Sequence, residues 1–224
     1  MRILTTVIIA GISIAGVSAQ NEIPEKSHLT GGFKTEANFS NFIMSGMSGT
    51  SGTTSRSGIG ATLGGFLNLN VTKHFAVQGE LLYHYKSSDL TRNGEKNEFQ
   101  YWGMEIPMYA VYQWKFKNRA RVYAGLGPYT EFGFSAKVKK AGRWIDLYQK
   151  NEATDMSIMF DTNSGFGLMG GYEFAFGLQL NVGYKVSITN VLDTNSASFS
   201  MFPQTVSLGI GYRFGKQHKS SCFK

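Results

Sequence analysis

From Gly177 to Val191 the chain changes character at every residue. Leu178, Leu180, Val182, Tyr184, Val186 and Ile188 alternate with Gln179, Asn181, Gly183, Lys185, Ser187 and Thr189. A period of two held over this length marks a β-strand whose faces meet different surroundings; a helix would scatter both sets around its axis. The same alternation closes the chain, with Val206, Leu208, Ile210, Tyr212 and Phe214 set against Thr205, Ser207, Gly209, Gly211 and Arg213. Six more segments, at residues 33–40, 59–70, 75–85, 102–114, 122–134 and 166–174, follow the pattern with fewer matches. Phe66 is the one large ring out of phase in the second of them. Eight strands result.

The connections between them differ by end. Residues 71–74, 115–120 and 175–177 read as tight turns, whereas 44–57, 86–97, 135–157 and 190–204 read as long polar loops. Short turns at one end and long loops at the other are the plan of an outer-membrane barrel, with the turns periplasmic and the loops outside. In hydrocarbon no strand edge can leave its backbone groups unpaired, so the sheet must close. The expected fold is therefore all-β, an eight-stranded antiparallel up-and-down transmembrane β-barrel. Charged residues make up 17% of the chain, below the quarter usual for soluble domains, while hydrophobic residues reach 42%. That balance fits a wall with one face in lipid.

The N-terminus reads as an export signal. Arg2 supplies the positive start, Ile3 to Val17 is apolar, and Val17-Ser18-Ala19 offers small residues for cleavage before Gln20. The apolar run, at about 15 residues, is shorter than the ~20 that cross a bilayer as a helix. The expected organisation is a leader over 1–19, a barrel domain over 20–214 and a short basic tail over 215–224 that holds the lone Cys222. Aromatics near strand ends, namely Phe75, Tyr83, Tyr85, Trp102, Trp114, Phe132, Phe134, Phe174 and Phe214, suit the two interfacial girdles of such a barrel.

Strand parity places Lys34, Glu36, Glu80, Glu105, Glu131, Lys185 and Arg213 inside a lumen only wide enough for side chains. Buried charges demand partners, so these residues are expected to form a polar network. Glu80 and Glu105 are expected to share cations among Lys34, Lys185 and Arg213. The segment 135–157 concentrates positive charge in Lys137, Lys139, Lys140, Arg143 and Lys150, beside the apolar Trp144, Ile145, Leu147 and Tyr148. Outside the cell, Lys137, Lys139, Lys140, Arg143 and Trp144 would face the phosphates and sugars of lipopolysaccharide.

Catalytic and cofactor signals are weak. A lipid-modifying barrel enzyme needs a His beside a Ser at the outer rim; His84 is followed by Ser87, Ser88 and Asp89, without the His-x-Ser spacing of the deacylases. Gly165-Phe166-Gly167-Leu168-Met169-Gly170 matches G-x-G-x-x-G in letters only, because alternating residues follow it rather than a helix. Its glycines read better as relief of crowding in the lumen. Pro107 cannot donate to a ladder and is expected at a bulge or strand end. His28, His74, His84 and His218 show no metal spacing. No catalytic residue, metal or cofactor is expected.

Trp102-Gly103-Met104-Glu105-Ile106-Pro107-Met108, with Tyr112 and Lys115 after it, resembles the "EIP" strand of the PorT-like porin-family barrels. Tyr123-Ala124-Gly125-Leu126-Gly127-Pro128-Tyr129 and Asn181-Val182-Gly183-Tyr184 resemble that family's next strands. Leu208 to Phe214 resembles its terminal aromatic signature. The likeness spans about residues 28–214 and lies in the order and spacing of the segments. It implies an outer-membrane barrel of the Bacteroidota type and, through PorT itself, an association with secretion. One departure is that Gly215 to Lys224 follow Phe214, so that Phe223 also competes as the terminal aromatic.

The sequence thus leads us to expect an integral protein of the bacterial outer membrane, non-enzymatic, with a structural or accessory role in surface interaction or secretion. Its expected partners are outer-membrane lipid, lipopolysaccharide, the barrel-assembly machinery and a secretion-system or surface protein, not nucleic acid. The competing classes are a small passive pore, a lipid-modifying enzyme, and a soluble ligand-binding barrel whose strand parity would be reversed.

Overall fold

The structure, a computed structural model, describes residues 29–45, 54–92, 95–140, 142–149, 158–192 and 200–214. The leader expected at 1–19 and the tail at 215–224, with Cys222 and Phe223, lie outside the described residues. The strands are β1 (Leu29–Ser45), β2 (Thr54–Asn70), β3 (Phe75–Arg92), β4 (Glu95–Lys115), β5 (Arg121–Lys140), β6 (Arg143–Asp146), β7 (Thr162–Glu173), β8 (Leu178–Ser187) and β9 (Ser200–Phe214). Each long strand pairs antiparallel with its chain neighbour, and β1 pairs with β9, so that eight strands form a closed up-and-down ring. The short β6 pairs with the upper end of β5 alone and stands outside the ring.

Alternation decides which face looks inward. On β1, Lys34, Glu36, Asn38 and Ser40 are buried, while Phe33 and Phe39 are exposed. The same division holds on β4, where Tyr101, Glu105, Tyr109 and Gln113 point in and Trp102, Ile106, Met108 and Trp114 point out. The outer wall is one continuous apolar surface, with Ile59, Leu63, Leu126, Leu168 and Ile210 each more than half exposed. A surface of that extent belongs against hydrocarbon. A soluble barrel would need the opposite parity. Trp102 and Trp114 bracket the band on β4; a dozen residues at a rise of about 3.3 Å, tilted by about 40°, give about 30 Å of height. Ring contacts tie the lower girdle together, for example Phe33 with Phe214 at 5.5 Å and Tyr112 with Trp114 at 4.6 Å.

Phe66 breaks its strand's pattern because it faces the lumen, 3% exposed. Its ring occupies the space over Gly32 on β1, where any Cβ would collide with it. Small residues opposite large ones let a narrow barrel fill without voids.

The four long connections are shorter than expected: β1 runs to Ser45 and β2 starts at Thr54, inside 44–57, and β9 starts at Ser200, inside 190–204. Residues 86–97 are not a loop: β3 runs to Arg92 and β4 starts at Glu95, with Arg92 paired to Glu95. Nor is 135–157 wholly a loop, since β5 continues to Lys140 and turns into β6. Above the bilayer both faces of a strand can be wetted, so polar residues there extend the ladder without an apolar alternation to announce it. Pro107 likewise lies inside β4, fully buried, rather than at its end. It still interrupts pairing: the β3–β4 register passes from Gly79↔Met108 to Leu82↔Glu105 with nothing paired between them.

Candidate functional site: a packed lumen and a basic hairpin

The inward side chains fall into three groups stacked along the barrel. At the short-turn end, Glu173 on β7 gathers three hydrogen bonds and one further ion-pair contact on one carboxylate oxygen. Arg121 donates from Nε at 3.0 Å and Nη2 at 2.8 Å, Gln179 from Nε2 at 2.6 Å, and Arg213 Nε lies 3.1 Å away. Arg121 also contacts Gln113, which donates to Asn70 at 2.7 Å. In the middle, Lys34 bridges Glu36 at 2.9 Å and Glu80 at 2.7 Å, and Gln78 donates to Glu80 at 2.8 Å. Lys185 is paired with Glu105 in the same zone. Near the opposite end Lys86 donates to both oxygens of Glu131 at 2.9 Å, and His84 Nε2 stands 3.0 Å from the same carboxylate.

All seven residues of the expected lumen set therefore face inward. Glu80 and Glu105 take separate lysines rather than sharing, and Arg213 joins neither of them; its partner is Glu173. Sequence reasoning missed Glu173, Arg121, Lys86 and His84 as network members. The signal was present, since Arg121 is in phase with Tyr123 and Glu131, and Lys86 is in phase with Glu80. These residues sit where a strand meets a turn or leaves the membrane, so parity had little alternation left to extend.

Among the described residues, five carboxylates (Glu36, Glu80, Glu105, Glu131 and Glu173) and five cations (Lys34, Lys86, Arg121, Lys185 and Arg213) line the interior. The lumen is electrically balanced. The chain's formal charge of +7 is therefore carried elsewhere. Tyr109, Tyr123 and Tyr129 fill the remaining width, and β7 yields room for them: Gly167 lies against the Tyr109 ring and Gly171 against that of Tyr123. Of the G-x-G-x-x-G letters, Gly165 and Gly167 thus serve packing, against Tyr129 and Tyr109. Cavities of about 30 and 10 Å³ open among the described residues. One water needs about 10–15 Å³, so the larger holds a couple and neither makes a channel.

An apolar lid covers the end opposite the short turns. Phe99, Tyr101, Ala136, Met159, Val191, Leu192 and Met201 pack together, with Phe42, Leu147 and Tyr148 against them. Leu147 N donates to Ala136 O at 2.8 Å and Phe160 N to Val191 O at 2.9 Å, which pins the lid's segments to the barrel. Burial pushes the Tyr148 hydroxyl above its ordinary range. His84 lies below this lid, 1% exposed and stacked on Tyr101 at 5.6 Å, with Asp89 on the outer face of the same strand. The carboxylate that His84 meets is Glu131, inside the barrel and beneath the lid, not Asp89.

Lys137, Lys139, Lys140 and Arg143 of the 135–157 segment lie on the β5–β6 hairpin, and Lys150 lies outside the described residues. Register pairs Lys137 with Asp146, Lys139 with Trp144 and Lys140 with Arg143. Lys137, Lys139, Arg143 and Trp144 are exposed, and Lys139 Nζ stands over the Trp144 ring at 5.6 Å. The same outward row continues through Glu98 on β4 to Asp89 on β3.

A family model described as an outer membrane protein beta-barrel domain matches residues 7–214. The chain is similar in fold to Ail, the attachment invasion locus protein of Yersinia pestis, at 14% identity over 84% of this chain and 99% of that one, TM-score 0.44. It is similar to OprG from Pseudomonas aeruginosa at 14% identity, over 84% and 95%, TM-score 0.48. A third likeness is to neisserial surface protein A, at 17% identity, over 81% and 97%, TM-score 0.41. No curated protein matches the chain.

Proposed function

The chain belongs to the outer-membrane protein β-barrel family and resides in the bacterial outer membrane, and from that premise we propose that it is a non-enzymatic, non-conducting barrel that acts through its extracellular surface. The balanced, filled lumen carries this reading. Among the described residues five inward acids are matched by five inward bases, which leaves the lumen without a net charge to draw an ion through it. What remains available is outside. The hairpin bearing Lys137, Lys139, Lys140, Arg143 and Trp144 is proposed to contact lipopolysaccharide, its cations taking phosphate and its ring resting on sugar or acyl carbon. The proposed boundaries are a leader over 1–19, a barrel over 20–214 and a basic tail. A PorT-like affinity, the barrel-assembly machinery and a secretion or surface partner belong to the same proposal.

The test is conductance of the purified chain in planar bilayers whose one leaflet is lipopolysaccharide. The expected record is flat at physiological voltage. Stable ohmic steps from the parent chain would overturn the closed-lumen reading and favour a pore.

A further inference from the structure

Two hairpin turns at the short-turn end share one hydrogen-bond pattern but not one sequence solution. In the first, Phe116 N donates to Ala120 O at 2.8 Å and Arg119 N donates to Phe116 O at 3.0 Å. In the second, Phe174 N donates to Leu178 O at 2.8 Å and Gly177 N donates to Phe174 O at 2.9 Å. The fourth residue of each is left-handed, with φ 67° at Arg119 and 100° at Gly177. Glycine enters that region without steric cost, and a residue with a Cβ does not. The chain therefore uses the favoured residue in one turn and holds an arginine against the backbone's preference in its twin. Backbone strain of this kind persists where a side chain has a use.

The surroundings show what that use is. The turn 71–74 abuts the first hairpin through Gln113 N donating to His74 O at 2.8 Å, and Arg121 pairs with Glu173 at the start of the second. Across these three adjacent turns Lys73, Lys117 and Arg119 are exposed, and none of their residues is acidic. Glu173, the described carboxylate at the start of the second hairpin, points inward, where Arg121 and Gln179 donate to it and Arg213 pairs with it. Phe116 and Phe176 stand 50% and 65% exposed at the tips, continuous with the lipid-facing Trp114 and Tyr112.

We propose that this rim binds the phosphate of anionic phospholipids in the inner leaflet. Short turns lie on the periplasmic side, at the depth of those headgroups. Phe116 and Phe176 would rest at the acyl boundary while Arg119, Lys117 and Lys73 reach phosphate oxygen, the arginine as a two-pronged donor. A zwitterionic lipid carries its own ammonium against these cations, so the rim should prefer phosphatidylglycerol to phosphatidylcholine.

The full chain carrying Trp102→Phe and Trp144→Phe keeps Trp114 as its sole tryptophan. Reconstituted in phosphatidylcholine vesicles, it is titrated with phosphatidylglycerol brominated on the acyl chains, or with phosphatidylcholine brominated in the same way. Trp114 quenching should report enrichment of phosphatidylglycerol by about five-fold for each cation in contact. Adding Lys73→Gln, Lys117→Gln and Arg119→Gly should bring the two lipids to parity. Arg119→Gly alone should reduce the preference while leaving the folded band on an unboiled gel stable to the same or a higher temperature. Equal quenching by both lipids in the parent, or a preference that survives the triple change, overturns the proposal, whatever soluble partner the rim then takes. A lower melting temperature in Arg119→Gly would overturn the strain that motivates it.

Discussion

The Tyr123 ring stands over Gly171, its register partner on the neighbouring strand. A Cβ at Gly171 would come within 2.4 Å of the Leu180 carbonyl oxygen and 2.7 Å of the ring's Cζ, so that both the backbone of β8 and the ring stand in its way. The ring has nowhere to retreat, because the lumen around it is filled and its hydroxyl engages Asn181. Gly171→Ala should therefore cost about 1–3 kcal/mol through overpacking. The measurement is the temperature at which the fast-migrating folded band converts on an unboiled gel. Conversion at the parent temperature would show that the tyrosine is loosely held.

Glu173 faces two arginines. Glu173→Ala would leave both guanidinium groups buried and unmatched, with an expected loss of about 3–5 kcal/mol. Arg213→Met in the same chain should recover part of that loss, since it removes one of the two stranded charges. Guanidinium unfolding in detergent would compare the three. A double variant less stable than the single would contradict the pairing.

Glu105 and Lys185 meet in the middle of the lumen. Glu105→Ala frees a buried ammonium and should destabilise the barrel without opening a conducting path, because Tyr109 and Tyr129 still fill the bore. Planar-bilayer recordings together with thermal conversion test this. Unchanged stability with raised conductance would sink the plugged-lumen reading.

On the extracellular hairpin, Lys137→Gln, Lys139→Gln and Arg143→Gln together should weaken lipopolysaccharide binding by about tenfold at low salt. Each exposed contact is worth up to about 1 kcal/mol, and salt screens it. Trp144→Ala should weaken binding with little change in that salt dependence. Titration of labelled lipopolysaccharide at two ionic strengths would separate these effects. Parent-like affinity in the triple variant would move the contact elsewhere.

Legibility in the sequence followed the bilayer. Where a strand crosses hydrocarbon, as at Leu178–Ser187, the solvent on one face and the crowded lumen on the other enforce alternation, and the strand is plain to read. Above the bilayer that constraint lapses. Residues 86–92 and 95–97 pair as strands while reading as a polar loop. The lumen residues were legible as a class for the same reason, through parity.

The sequence by itself determined an eight-stranded closed wall, the inward and outward sets, and the outer-membrane location, because these depend on a period of two and on the ban on unpaired backbone in lipid. The tertiary structure decided who meets whom. Strand stagger, rather than order along the chain, brings Glu105 to Lys185 and gives Glu173 both Arg121 and Arg213. The structure also decided that Arg119 takes up the same left-handed place as Gly177, since a residue's φ follows from how its turn closes and not from its own preference.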